Sequence, residues 1–380
     1  MKQYDYIIVG SGISGLLLIN QLIDSQKLSN KQILIIDNMT KYKNDRVISF
    51  WSQNKPEFLE SIEHHSWDKI YFKDINNTSR SLLTGSYTFY SFDSINFYNY
   101  ILEKISHAPN VTIVHEHVCS IVEKDDKAEV RTINNSIFFA EIVFDSRFEV
   151  DKIQEEVKNN TKALLHFVGL KFTIPADRFD TSAPIFVDLR NSGNDNFCFF
   201  HLLPFAPNKA SVNFISIAEK THTELDTILK AYLQEQFGIV NLQSEINESG
   251  VLLLTDHKFT RQISHHVYTI GTEAGMIKPS TGYGFIRMYE DSVEIVKGLE
   301  EGSMKFRPYS DFYRKTDSLF LNLILHNPKK GYELFRNIFD DESIEYFLKF
   351  LDEKADYLEI WKLMSKAPTW EMLRQLPYVR

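Results

Sequence analysis

The stretch Tyr6-Ile7-Ile8-Val9-Gly10-Ser11-Gly12-Ile13-Ser14-Gly15 reads as a buried strand that turns sharply into a helix. Its glycines have the Gly-x-Gly-x-x-Gly spacing of a dinucleotide-binding turn. Gly10 permits the tight turn, Gly12 lets the backbone approach a pyrophosphate, and Gly15 lets helix and strand pack closely. The anion would sit on the helix N-terminus, where unpaired N–H groups and the helix dipole favour it.

Outward from this turn, Leu16, Leu17, Leu18 and Leu22 continue an apolar helix face. The next strand, Ile33 to Ile36, ends in Asp37. An acid about twenty residues past the turn is placed to hold a ribose 2′-hydroxyl, which favours FAD or NAD over NADP.

The 380 residues suffice for two domains, or for one large domain with an insertion. Aromatic residues make up 13%, with 29 Phe and 18 Tyr, which suits either a greasy cavity or a core built from large side chains. A net charge of −9 lacks the basic footprint of a nucleic-acid binder. The first apolar run holds the glycine turn, so it reads as a strand and not a secretory signal. No run approaches the roughly twenty apolar residues of a membrane span. Two distant cysteines, Cys119 and Cys198, suit a reducing cytoplasm and give no metal-site spacing, and neither do the pairs His64-His65 and His265-His266. The expected location is cytoplasmic, with peripheral contact at the inner face of the cell membrane and the oligomeric state both left open.

The coarse pattern is α/β: a Rossmann-like FAD-binding domain interleaved with an antiparallel-sheet substrate domain, followed by a helical C-terminal region. Expected boundaries are 1–70, 93–160 and 265–300 for the cofactor domain, 71–92 and 161–264 for the substrate sheet, and 301–380 for the helices. A polar segment from Lys41 to Ser49 is expected to wind around the cofactor. Ile137 to Asp145 reads as a strand pair, and Pro204 to Lys209 as a break between strands. Long excursions that return to the first domain suit an FAD protein better than a simple NAD dehydrogenase.

A second glycine-rich turn, Gly271 to Gly284, follows a short strand and enters a helix at Phe285. Its clustered N–H groups would seat ribityl, pyrophosphate or flavin oxygens. Pro279 and Gly282 would fix a bend beside the ring, and Lys278 is a candidate contact to flavin or substrate. The expected cofactor contacts are Gly10, Gly12, Ile13, Ser14, Gly15, Asp37, Asn38, Arg46, Val118, Asp145, Gly271, Glu273, Lys278, Gly282 and Tyr283.

Several motifs, in order, resemble the FAD-containing lycopene cyclase family. They are Asn44-Asp45-Arg46 with Phe50-Trp51, Asp145-Ser146-Arg147, His166-Phe167-Val168-Gly169, Phe179-Asp180, Val187-Asp188-Leu189-Arg190, Leu203-Pro204-Phe205, and Gly271 to Phe285. The last is the most specific. The resemblance implies cyclisation at the end of a long polyene, with reduced FAD assisting protonation and an external reductant supplying it. It also implies an acid on the strand after Leu-Pro-Phe.

Here the chain departs from the family. The acidic pair falls on Asn213 and Phe214, neither able to act as a general acid. Ile48 replaces a Trp, and His166 a Gln. The remaining catalytic candidates are Glu273, His166 and Asp188. The expected substrate cavity is formed by Ile48, Phe50, Trp51, Phe205, Asn213, Phe214 and Pro279. Three functions compete: a cyclase-like enzyme on an apolar isoprenoid, an FAD-dependent oxidoreductase on another lipophilic or aromatic metabolite, and a flavin-binding scaffold without catalysis.

Overall fold

The computed structural model describes residues 2–39, 41, 43–148, 153, 155–190, 196–217, 221–240, 242–308, 310–340, 342–366 and 374–375. Five parallel strands form its cofactor-side sheet, in the order Val267–Thr269, Ile137–Asp145, Lys2–Val9, Ile33–Ile36, Val111–Val114. Their continuous Ile/Val/Leu runs follow from burial on both faces. The helix Ile13–Asp24 packs on one face with Ser94–Ser106 and Phe285–Glu300. Strands Val118–Lys124 and Lys127–Thr132 extend the sheet, and their Val118, Ala128 and Val130 pack into the core on its other face.

A seven-stranded sheet runs Ser244–Thr255, Lys162–Thr173, Lys209–Ser216, Cys198–Ala206, Ile185–Asp188, Lys69–Lys73, Ser79–Leu83. Alternation assigns its faces. Val168, Leu170, Phe200, Val212 and Phe214 pack beneath the helix His222–Phe237, while Leu165, Phe167, Phe199, Asn213 and Ile215 face a cavity. The helix is well started: Thr221 and Glu224 form a capping box. A three-stranded sheet of Val47–Ser52, Thr88–Asp93 and His65–Trp67 lies between these parts of the chain. Helices Asp311–His326, Pro328–Ile338, Ile344–Leu351 and Tyr357–Lys366 complete the α/β architecture. No helix among the described residues is long and apolar enough to cross a membrane.

Four local expectations change. Ile137–Asp145 is one nine-residue strand, not a pair; its two ends meet different neighbours, Lys127–Thr132 and Val267–Thr269. Val47–Ser52 is a strand, so the polar segment stops earlier than Ser49. Pro204 lies inside Cys198–Ala206, where a register shift accommodates a residue that cannot donate to the ladder. The boundary at 70/71 falls within the strand Lys69–Lys73.

Candidate functional site

Two helix N-termini open onto one cavity of ≈ 430 Å³. The first belongs to Ile13–Asp24: Gly12 gives no side-chain cap, and no acid sits in the first turn. The second belongs to Phe285–Glu300, where Gly284 likewise leaves the N-terminus uncapped and free of acids. Both ends therefore present orphan N–H groups and positive dipole ends to the same space. Gly10 has φ +93, and a Cβ on Gly15 would lie 2.1 Å from the Gly10 carbonyl oxygen, so the turn demands both glycines. Gly271 meets the first turn directly, since a Cβ there would lie 2.9 Å from Ser14 Cβ.

Asp37 is engaged by this turn. Its Oδ2 accepts from Ser11 Oγ at 2.6 Å and from the Ser11 N–H, and its Oδ1 accepts from the Met39 N–H at 2.8 Å. A carboxylate has about four acceptor positions, so one remains for a ribose hydroxyl. The hydroxyl of Thr281, on the wall beside the second turn, is buried without a partner. Uncapped N-termini, a spare acceptor and an orphan hydroxyl fit a dinucleotide cofactor.

The opposite wall is apolar, built from Leu165, Phe167, Phe199, Ile215 and Leu252. One polar row crosses it. Strand register pairs His201 with Asn213, Asn213 with Gly169, and Gly169 with Glu248. His201 is buried and bonds the Phe186 carbonyl through Nδ1 at 2.9 Å, which leaves Nε2 without a partner. Burial lowers its pKa to about 4, against the opposing pull of that carbonyl, so the ring is neutral at pH 7.

Glu248 is not among the residues expected from the sequence, since the apolar run that marks its strand begins only at Val251. The strand runs Ser244–Thr255. Counting back from Leu252 by twos places Glu248 on the cavity face. It is half-buried by surface area, yet burial dominates and pushes its carboxyl up to about 7, against the Val47 N–H, Arg46 and the Asn213 amide. Its pKa is raised above the unfolded value near 4.3. The contribution to stability is thus full below that value and lost as pH rises to about 7. Chemical denaturation across this range should show a decline of about 3 kcal/mol that Glu248→Gln removes. An unchanged decline in the variant would refute the assignment.

Other predicted residues divide by where alternation and packing put them. Gly12, Ile13, Ser14, Arg46, Ile48, Asn213, Gly271, Gly282 and Tyr283 line the cavity. Gly10 and Gly15 shape the turn behind it. His166 does not line it: it alternates with Leu165 and Phe167 on the opposite sheet face. Phe214 is displaced for the same reason and packs against Phe200. Asp188 is fully buried, binding Arg190 and the Tyr232 hydroxyl at 2.7 Å, which accounts for its carboxylate structurally.

Phe50 stacks on Phe285, and Trp51 stands behind Tyr283 with ring centroids 4.3 Å apart. Phe205 lies under the Lys171 ammonium. None of these three lines the cavity. Pro279 borders a separate small void. Glu273 lies on the turn Gly271–Ala274 but outside the lining, where Thr272 stands. Asn38 is exposed beside His117. Asp145 is occupied by Arg147, whose guanidinium also donates to the Val118 carbonyl, and the intervening Ser146 reaches the cavity. Lys278 is the clearest correction. Its side chain is 1% exposed and pairs with Asp317 at 2.8 Å, away from the cavity wall.

The lycopene cyclase protein family model matches residues 5–376. The chain belongs to the lycopene cyclase family. Its cofactor is FAD, as the family membership and the two glycine turns require. Bound FAD supplies two-electron redox chemistry or a reduced, electron-rich ring. No curated protein sequence matches this family member. Its fold resembles a flavoprotein/dehydrogenase from Cytophaga hutchinsonii at 10% identity and TM-score 0.68, covering 99% of this chain and 100% of that one. A geranylgeranyl bacteriochlorophyll reductase-like protein from Thermoplasma acidophilum is 13% identical with TM-score 0.63, covering both chains fully. The p-nitrophenol 4-monooxygenase of Pseudomonas putida is 13% identical with TM-score 0.62, again over 100% of both chains.

Proposed function

We propose that this lycopene cyclase family member is an FAD-dependent oxidoreductase acting on a lipophilic or aromatic small molecule. The observation that carries the reading is the cavity itself: two uncapped helix ends on one side and an apolar wall on the other. A greasy ligand over that wall would be held against the cofactor turns. Asn213 lines the wall where the family resemblance places an acid, which weighs against the family's cyclisation. Fold relatives named as a p-nitrophenol 4-monooxygenase and a geranylgeranyl bacteriochlorophyll reductase-like protein support redox chemistry on such ligands.

In this proposal Gly12 to Ser14 and Gly271 hold the cofactor's phosphate and ribityl regions, Asp37 its ribose, and Gly282 to Tyr283 its ring. Leu165, Phe167 and Leu252 exclude water from the ligand. Acid-assisted cyclisation is a second reading, favoured by one observation: Glu248 brings a carboxyl with a pKa near 7 to the cavity.

The test is to reduce the flavin anaerobically, supply lipid fractions with and without oxygen, and weigh the products. Oxidoreductase activity changes the product by two hydrogens or one oxygen, with matching flavin oxidation. A product of unchanged mass, formed while the flavin stays reduced, would replace the redox reading with cyclisation.

A further inference from the structure

Glu248 is the only carboxyl among the described residues that line the cavity. Its position follows from register. Across the sheet, Asn213, Gly169 and Glu248 are consecutive partners in one row. Gly169, the middle member, has no side chain, and its neighbours close over it from both sides. A Cβ at Gly169 would lie 1.6 Å from Asn213 Oδ1 and 2.7 Å from Glu248 Cγ. The carboxyl two strands away thus shares one patch of wall with the amide of Asn213.

We propose that Glu248 replaces the carboxyl absent at Asn213, and that it takes up a proton from solvent when an apolar ligand enters the cavity. The inference rests on the reading that a lipophilic ligand occupies this space. The physical cause is desolvation. An apolar molecule over the wall removes water from the carboxylate and returns no hydrogen bond, so the neutral form is favoured. Few charges oppose this. Arg46, the cation that acts on it, is half turned to solvent and paired with Asp45, which also accepts from Ser94 and Tyr98. His201 in the same row is neutral, and Tyr283 is the remaining titratable group on the wall, its hydroxyl made less acidic by burial. Burial already pushes the Glu248 carboxyl up to about 7 before a ligand enters, so a modest further push holds the proton over the ligand.

The holoprotein is titrated calorimetrically with hexylbenzene at pH 7 in two buffers of different ionisation heat. About half a proton should be taken up per ligand bound, and affinity should fall roughly tenfold per pH unit well above 7. Glu248→Gln should bind hexylbenzene with no uptake and a flat pH profile. The double variant Asn213→Glu with Glu248→Gln should recover uptake, because its carboxyl returns to the same patch. Binding without uptake, or uptake that survives in Glu248→Gln, overturns the inference and leaves the lipophilic cavity standing. No hexylbenzene binding at all removes that reading and the inference with it. Flavin content and melting temperature of each variant show that it is folded.

Discussion

A Gly15→Val variant is expected to lose its bound FAD. The new Cβ would sit 2.1 Å from the Gly10 carbonyl oxygen and 3.2 Å from Ile8 Cγ2. The obstacle is backbone, so no rotamer relieves it, and the helix must move off the turn. Overpacking of this kind costs about 3 kcal/mol, which is roughly a hundredfold in affinity if expressed at the cofactor site. Gly12→Ala provides the contrast. Nothing lies within 4 Å of a Cβ at Gly12, so the fold should keep its stability while the methyl blocks close approach of the pyrophosphate. The flavin-to-protein absorbance ratio and the melting temperature separate the two effects. Full flavin occupancy in Gly15→Val would show that the turn does not seat the cofactor.

Lys278→Met should destabilise the protein by about 3–5 kcal/mol, the usual result of removing one partner from a buried ion pair. Lys278 and Asp317 are each 1% exposed, and Asp317 also accepts from Ser280 Oγ at 2.7 Å. Burial raises the Asp317 pKa even beside its lysine. Without that lysine it faces an uncompensated charge or an unwanted proton. Glu353 stands 3.6 Å from Lys278 and also pairs with Arg287 and Arg307. Against burial, which acts upward, Arg287, Lys278 and Arg307 hold its carboxyl down to about 2. The cluster ties the second glycine turn to the helix Asp311–His326 and to the loop after Ile344–Leu351. Adding Asp317→Leu to Lys278→Met should recover most of the loss, since it removes the stranded charge. Denaturant midpoints measure both variants. A single substitution that costs under 1 kcal/mol would mean that the pair contributes little.

These two sites differ in how far they could be read from residues alone. The turn at Gly10 to Gly15 is local: three glycines within six positions meet backbone demands set by their own neighbours. Asp37 was legible for the same reason, as it ends the next strand of one β-α-β unit. Lys278 also lies in a recognisable motif, but its partners are 39 and 75 positions further on, in a helix and in the loop after another, whose sequences give no sign of where they dock.

The substrate wall shows the limit most clearly. Asn213 and Phe214 are adjacent, yet one lines the cavity and the other packs beneath a helix. His166 and Phe167 divide the same way. A strand's period of two separates such neighbours, and burial on both sheet faces hides the alternation that would say which is which. Glu248 needed one step more, because its place depends on register across two strand pairs and on the empty position at Gly169. That a dinucleotide binds was therefore legible in the sequence through short-range backbone geometry, and the second glycine turn with the family motifs narrowed it to FAD. Which side chains meet a ligand was decided only by the tertiary structure, through non-local pairing that sets face and register.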